Sequence, residues 1–126
     1  MVEIALAARK SVLKTAKECS ELVYATYCIS DAFTFTGKLG QAFIHIATYG
    51  SHVNLGFNYG TSLPDPENLL VGTGKSIRHI RLDSKSQLKT KPVKNLIAAA
   101  IKQGIEMAEN KGGVEPAVFK VIDSRK

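Results

Sequence analysis

The feature that most constrains the fold of this chain is a β-hairpin encoded by residues 43–58. Gly50 and Ser51 form a two-residue loop suited to a type II′ turn, which pairs Tyr49 with His52. In that register one side of the hairpin carries residues that are apolar with a single exception: Ile44, Ile46, Thr48, Val53, Leu55 and Phe57. A slip by one residue would scatter them over both sides, so the turn and the hydrophobic pattern predict the same register.

The opposite side of the hairpin mixes aromatic, small and hydrogen-bonding residues: Phe43, His45, Ala47, Tyr49, His52, Asn54, Gly56 and Asn58. A sheet face of this composition meets solvent, holds a ligand, or packs against another chain, which includes a second copy in a homodimer. His45 and Asn54 lie together on this face, where they either orient a ligand or face water at an edge.

Helices are predicted on both sides of the strand-rich region. Apolar and charged residues recur at helical spacing over about residues 2–23. The end of this helix stays open, because residues 22–27 are rich in strand-forming side chains and equally fit the start of a strand. A second amphipathic helix is predicted over about residues 92–109, with Pro92 in its first turn and Gly112 beyond its end.

Shorter elements complete the order. Alternating patterns predict strands at residues 31–36 and 77–82. Residues 59–70 and 84–91 are predicted to be loops, the first of which ends in a short helical turn. Residues 117–122 form either a last strand or a loosely attached tail.

Length and composition fit one domain over residues 1–126. Of the 126 residues, 44% are hydrophobic and 22% are charged, as in ordinary globular proteins. The longest apolar run, at residues 96–101, is far shorter than the ~20 residues of a membrane span, and Glu3 argues against a secretory signal. Cys19 and Cys28 have neither C-x-x-C nor zinc spacing, so we expect two reduced thiols in a cytoplasmic protein.

The positive charge of the chain is concentrated in one segment. The formal net charge is +6, and residues 75–94 alone hold seven basic residues against the single acid Asp83. Such a segment is either a solvated loop with the start of a helix or a patch for a small anion or an acidic protein partner. Nucleic acid is not expected, because no aromatic residue lies in this segment to stack on a base.

A glycine-rich stretch, Gly72-Thr73-Gly74-Lys75-Ser76, begins just before this segment and overlaps it. It resembles the end of a phosphate-binding P-loop, but the first glycine of that motif is missing and a strand pattern, not a helix, follows. The stretch is therefore either a tight turn that enters a strand or a set of backbone N–H donors that holds a carboxylate or phosphate.

Strand alternation separates two arginines of the basic segment. Arg78 and Arg81 are three residues apart, so they point to opposite faces of a strand. We expect Arg81, beside His79, to be exposed and free to meet a ligand. Arg78 then lies near the helices and needs an internal partner, either Asp31 or backbone carbonyls, because an unpaired buried charge is costly.

No catalytic or metal-binding pattern is visible in the sequence. His45, His52 and His79 form no H-x-x-x-H pair, so neither a metal nor a cofactor is predicted. Cys19 falls on the apolar stripe of the first predicted helix, and Cys28 has no base close to it in the sequence. We therefore expect a protein that is not an enzyme.

Three stretches together resemble the YdhG-like family, a group of small bacterial domains of unknown function. They are His52-Val53-Asn54-Leu55-Gly56-Phe57, then Gly60-x-x-Leu63-Pro64-Asp65-Pro66, and then Leu70-x-Gly72-Thr73-Gly74-Lys75-x-x-Arg78-His79-Ile80-Arg81-Leu82. The likeness covers about residues 10–105 and leaves residues 110–126 as a C-terminal extension. It implies an α+β fold in which helices pack on one face of a curved antiparallel sheet.

One branch of that family resembles frataxin and is proposed to act as an iron chaperone, a role that uses an acidic helix surface. The first helix here mixes Lys10, Lys14 and Lys17 with Glu18 and Glu21. This balance of charge opposes the iron role, and the resemblance is its only support.

These observations lead to a main hypothesis and an alternative. The main hypothesis is a non-enzymatic domain that binds a small anionic ligand or an acidic partner, with these candidate contacts: Gly72, Thr73, Gly74, Lys75, Arg81, His45 and Asn54. The alternative is a frataxin-like intracellular iron chaperone. An enzyme is a third hypothesis, which no visible catalytic constellation supports.

Overall fold

The computed structural model describes residues 2–25 and 28–122. Within these residues the helices and strands are, in chain order, α1 (Val2–Thr15), β1 (Ser20–Ala25), β2 (Ile29–Thr34), β3 (Ile44–Thr48), β4 (Val53–Phe57), β5 (Arg78–Leu82), α2 (Lys91–Asn110) and β6 (Phe119–Ile122). Short 3₁₀ helices lie at Leu39–Gln41, Gly60–Ser62 and Lys85–Lys89. The α+β fold class is confirmed.

The strands form one mixed sheet with the order β5-β4-β3-β2-β1-β6. Strands β1 to β5 are an antiparallel meander, as expected, whereas β6 runs parallel to β1. The expectation of an antiparallel sheet is therefore wrong for the last strand. The chain leaves β5 at one edge of the sheet, passes through α2, and enters the opposite edge in the direction of β1.

The predicted hairpin register is confirmed, with Ile44 opposite Phe57 and Thr48 opposite Val53. One residue was placed on the wrong side. Phe43 is buried on the helix side, where its ring stacks on Phe35 with centroids 4.9 Å apart. It precedes the first residue of β3, so the alternation of a strand does not govern its direction.

The first helix is shorter than predicted, because α1 ends at Thr15 and residues 20–25 form β1. Of the two possibilities left open, the strand is the right one for residues 22–25, while residues 26 and 27 lie outside the described part. Strand β1 pairs with β2 on one side and β6 on the other. These two ladders satisfy its backbone groups, and this tertiary pairing overrides the helical spacing of the side chains.

Two predicted loops differ in detail. The helical turn predicted to end the first loop is a single hydrogen-bonded turn, in which the Asn68 amide donates to the Asp65 carbonyl oxygen at 3.1 Å, and the positive φ of Asn68 ends it. The Asp65 carboxylate accepts from the amides of Leu69 and Leu70 beyond it, at 2.9 and 3.0 Å. Residues 85–89 form a 3₁₀ helix instead of a loop, and the buried Leu88 anchors it to the core. Residues 119–122 form a strand, which decides between the strand and the loosely attached tail.

The hydrophobic core lies between the two helices and one face of the sheet. Strands β3 to β5 supply Ile46, Leu55 and Leu82, and α1 supplies small side chains such as Ala8, which let the helix approach closely. Gly104 of α2 lies against the Phe43 ring, where a Cβ would come within 2.6 Å of ring carbons. In residues 2–25 and 28–122, no helix has the length and apolar content to cross a bilayer.

Candidate functional site

The glycine turn, defined here as residues 72–77, leads into β5 at the edge of the sheet. Just before it, Val71 forms a two-way backbone bridge with His79, with both N···O distances 2.9 Å. All residues of the glycine turn are exposed. Gly72 has φ +140°, and a Cβ there would lie 3.2 Å from the Ile77 carbonyl oxygen, so this position requires glycine.

The side chain of Arg78 holds the glycine turn in place through two hydrogen bonds. Its Nη1 donates to the carbonyl oxygens of Gly74 and Ile77, at 2.6 and 2.8 Å. Of the two partners expected for this arginine, backbone carbonyls are the ones found, and Asp31 is not. Arg78 is half-buried and packs closely on Gly60, where an added Cβ would lie 2.5 Å from the Arg78 Cβ.

Thr61 fixes the two carbonyls between those that Arg78 contacts. Its amide donates to Ser76 O at 3.1 Å and its hydroxyl donates to Lys75 O at 3.3 Å. Every carbonyl from residue 74 to residue 77 is therefore turned toward Arg78 or Thr61. The amides of residues 72–77 have no acceptor among the described residues. In a trans peptide unit the C=O and the following N–H point in opposite directions, so the amides of residues 75–77 point away from Arg78 and Thr61.

The open face, which is the sheet face away from the helices, carries the other predicted contacts. Asn54 and Arg81 are directly opposite each other on β4 and β5. Arg81 is exposed as expected, but its Nε pairs with Asp83 Oδ1 at 3.0 Å. Among the described residues, no hydrogen bond or ion pair joins these side chains or His45 to the glycine turn. The predicted site thus divides into two neighbouring parts.

His45 has a defined place on the open face. Its Nδ1 lies 2.9 Å from Asn58 Oδ1, and its ring covers Gly56, where any Cβ would collide with it. His79 pairs with Gly56 from the other side, so the register places the two histidines in one row. Burial lowers the pKa of His79, and the charges of His45 and His52 lower it further. His79 is therefore neutral at neutral pH.

Two amide oxygens on this part of the molecule lack partners. Asn54 Oδ1 and Gln41 Oε1 are buried and make no hydrogen bond. Gln41 belongs to the 3₁₀ helix that precedes Ala42, and Ala42 packs on Leu22 and Ala32 over the β1–β2 part of the open face. The open face is therefore partly covered, and two of its amide oxygens are buried without a hydrogen-bond partner.

Sequence reasoning missed several of these residues. Thr61 and Gln41 were not identified, because their contacts join segments that no local pattern connects. The alternation of side chains along β5 places His79 on the same face as Arg81. His79 could therefore have been predicted from the sequence, but the candidate site did not include it.

A group of charged side chains lies on the helix side, at β1 and β2. Arg9 of α1 makes a bidentate pair with the buried Glu21, at 2.7 and 2.8 Å. Burial, the hydrogen bond to Glu21 and the Glu21 charge together raise the pKa of Asp31 to about 8, against the opposing charge of Arg9. The pKa of Glu21 is lowered by the hydrogen bonds from Arg9 and Asp31, which outweigh its burial. Asp31 is thus the protonated member of the pair at neutral pH.

The remaining candidate groups for chemistry are isolated. No group of three or more His, Cys, Asp or Glu side chains suited to a metal occurs in residues 2–25 and 28–122. Burial raises the pKa of Cys19 to about 12, so its thiol stays protonated and packs as part of the core. Cys28 Sγ lies 3.6 Å from Ser30 Oγ.

Comparison with known proteins gives no relative. No family model matches the chain, and neither a curated protein nor a solved structure matches it significantly. The geometry of the glycine turn and of the open face is therefore the basis for any functional conclusion.

Proposed function

We propose that the protein is a non-enzymatic binding domain that holds a small anionic ligand or an acidic partner at the glycine turn. The observation that carries this proposal is the orientation of the turn. Arg78 and Thr61 take up the four carbonyls of residues 74–77 and leave the amides without acceptors. An anion then meets the N–H donors of residues 75–77 without repulsion from these four carbonyl dipoles.

Three features of the turn favour binding. Lys75 adds a full positive charge and Thr73 a hydroxyl donor, and both side chains are exposed. The guanidinium group of Arg78 already bonds to carbonyl oxygens of the turn. Arg78 therefore acts as a positioning residue and not as a ligand contact. Because Arg78 and Thr61 fix the turn in advance, an anion does not need to order it, which reduces the entropy lost on binding.

The open face supplies a second set of contacts for the larger of the two ligand classes. Arg81 is exposed, and its bond to Asp83 is an exposed ion pair of low strength, which an incoming carboxylate can replace. Asn54 lies directly opposite Arg81 on β4, and His45 lies further along the same face on β3. An acidic peptide that reaches from the glycine turn to Arg81 uses both parts of the site, whereas a small anion uses only the first.

We keep the YdhG-like family and a cytoplasmic location as parts of this proposal. The first rests on the motifs of residues 52–82, and the second on the two unpaired cysteines, Cys19 and Cys28. The alternative of a frataxin-like iron chaperone keeps the family resemblance as its only support, and residues 2–25 and 28–122 hold no group of three or more metal-ligating side chains.

Isothermal titration with citrate and with hexaglutamate at low ionic strength tests the proposal. We expect saturable binding of at least one of them, weakened about tenfold by Lys75→Gln through loss of one charge-assisted contact. Lys102→Gln, an exposed lysine on α2, is the control and leaves the affinity unchanged. Absence of saturable binding for both probes, or equal losses in the two variants, would show that the proposal is wrong.

A pair of glycine variants tests the role of backbone geometry. Gly72→Ala strains the turn, because Gly72 has positive φ and a crowded Cβ position. Gly74→Ala is its matched control, since a Cβ there meets nothing within 4 Å and φ is not positive. We expect weaker binding only for Gly72→Ala. Arg81→Gln distinguishes the two ligand classes, because it should weaken the binding of hexaglutamate and not the binding of citrate.

A further inference from the structure

The second half of the basic segment takes no part in the proposed site. The sheet carries residues 78 and 81 at one edge, whereas Lys85, Lys89 and Lys94 lie with the helices, since residues 85–89 form the 3₁₀ helix that joins β5 to α2. The buried Leu88 packs this 3₁₀ helix into the core that both α1 and α2 share. The charge that the sequence gathers in one segment therefore serves two separate regions of the surface.

A cavity of about 220 Å³ lies at the junction of these three elements. We call it the lysine groove, and its lining residues are Ser11, Lys14, Thr15, Leu88, Lys94 and Ile97. Two cations and two hydroxyls thus come together from two different helices. Leu88 and Ile97 are buried and form an apolar floor.

The cations of the lysine groove are not neutralised by the fold. Neither Lys14 nor Lys94 forms an ion pair with any carboxylate among residues 2–25 and 28–122. The ion pairs that involve these elements join Arg9 to Glu21 at 2.7 Å and Lys85 to Glu3 at 3.9 Å. Lys10 and Lys91 lie one helical turn before Lys14 and Lys94, and both are exposed. Like charges held this close favour an anion between them.

The start of α2 adds to this field. Lys94 is in the first turn of a helix of 20 residues, and Thr90 at its N-cap makes no side-chain cap hydrogen bond. The free amides of the first turn place the positive end of the helix dipole near the same groove. This contribution is secondary to the two lysines, which line the cavity themselves.

We propose that the lysine groove binds a phosphomonoester of a small molecule. The phosphate carries close to two negative charges at neutral pH, which matches Lys14 and Lys94, and the hydroxyls of Ser11 and Thr15 donate to its oxygens. The ester carbon chain then lies on Leu88 and Ile97. The cavity has the size of a small molecule, and no aromatic side chain lines it to stack a base, which excludes nucleic acid as its occupant.

The test is a calorimetric titration with glycerol 3-phosphate, alongside glycerol and inorganic phosphate. We expect glycerol 3-phosphate to bind more tightly than inorganic phosphate, because of the apolar floor, and glycerol not to bind. Lys14→Gln and Lys94→Gln should each weaken binding about tenfold, through loss of one charge-assisted contact. Both positions are exposed on helices, and glutamine is a good helix former, so the fold is kept.

Two further variants separate this inference from the proposed function. Lys102→Gln should leave binding of glycerol 3-phosphate unchanged, and Lys75→Gln, which removes a charge from the glycine turn, should weaken it less than the groove variants do. If Lys75→Gln weakens it and the groove variants do not, the ester binds at the glycine turn and the inference is wrong. If all four variants weaken it equally, the attraction is only that of the net charge, and the inference is equally wrong. Binding at the groove remains measurable even if citrate and hexaglutamate fail at the glycine turn.

Discussion

The two faces of the sheet differ in what their side chains do. On the helix side, Ile46 and Leu55 are large, apolar and buried under α1 and α2. On the open face, the residues that alternate with them are small or hydrogen-bonding, such as Ala47 and Asn54. Burial of the first set stabilises the fold, whereas the second set brings hydrogen-bonding groups to the opposite face. The part of the open face that Ala42 does not cover is therefore available for ligand contacts.

The charged groups follow the same division. On the helix side, the partly buried Arg9 and Asp31 flank the buried Glu21, and the three groups neutralise each other by pairing and by proton sharing. At the edge of the open face, Arg81 and Lys75 are exposed. A buried charge is tied to its partners, whereas an exposed one is available to a ligand.

The largest difference between the faces should appear in stability. Leu55→Ala and Ile46→Ala should each lower the free energy of unfolding by about 2–5 kcal/mol, since both side chains are buried in the core. Asn54→Ala and His45→Ala on the open face should each cost less than about 1 kcal/mol. Urea unfolding measures all four. Equal losses on the two faces would mean that the open face is packed against something, such as a second copy of the chain.

The loss of stability expected at Arg78 lies between that of the core residues and that of the open-face residues. Arg78→Ala should cost about 1–2 kcal/mol, because two hydrogen bonds from a charged group to carbonyls of an exposed turn are lost. Thermal unfolding measures the loss, with Lys102→Ala as a control for an exposed cation. A loss as small as that of the control would mean that Arg78 does not hold the glycine turn.

The buried carboxyl cluster predicts a pH dependence that Asp31 controls. Its pKa is raised from 3.8 to about 8, so the folded state binds a proton that the unfolded state releases. The contribution of Asp31 to stability is therefore present at low pH and lost as pH rises from about 4 to about 8. Asp31→Asn keeps a donor toward Glu21 but cannot ionise. We expect a fall in melting temperature between pH 5 and 9 for the native chain, and a smaller one for the variant.

The contribution of Glu21 to stability changes with pH in the opposite direction to that of Asp31. Its pKa is lowered in the folded state, so its contribution is present above the ordinary range of a glutamate and lost as pH falls through the folded value. The Asp31→Asn variant should keep this acid-side loss. A variant with an unchanged alkaline fall would show that Asp31 is ionised in the folded protein at neutral pH.

The smallest effect is expected at Arg81. Its ion pair with Asp83 is exposed, with 57% and 69% of the two side chains accessible, so Arg81→Ala should change stability by less than about 0.5 kcal/mol. Melting curves of Arg81→Ala and Asp83→Asn check this. A loss comparable to that of Arg78→Ala would place Arg81 in the fold and not at the ligand.

The sequence predicts most where the signal is local. The hairpin register follows from a two-residue turn and a period-two pattern only a few residues long, and both are independent of the rest of the chain. The exposure of Arg81 follows from the same alternation. The end of α1 cannot be predicted from a local pattern, because Cys19 and Val23 continue its helical spacing. Residues 20–25 form a strand only because they pair with β2 and β6.

The candidate site was harder to predict for the same reason. Glycines and a basic segment indicate a turn with charge, but the orientation of its carbonyls depends on Thr61, which lies 14 residues before Lys75. The partners of Asp31 come from β1 and α1, so its raised pKa has no local signal. The basic segment looked like one patch, whereas the fold distributes it between the sheet edge and the helices.

The most direct test of the binding account is an amide-resolved NMR titration with citrate. The account predicts that the largest shifts fall on the amides of residues 72–77, with smaller ones at Arg81 and none at Leu55 in the core. Gly72→Ala should reduce these shifts, and Gly74→Ala should not. Shifts spread evenly over all exposed lysines, or a glycine turn that does not respond at saturating citrate, would contradict the claim that this turn is an anion site.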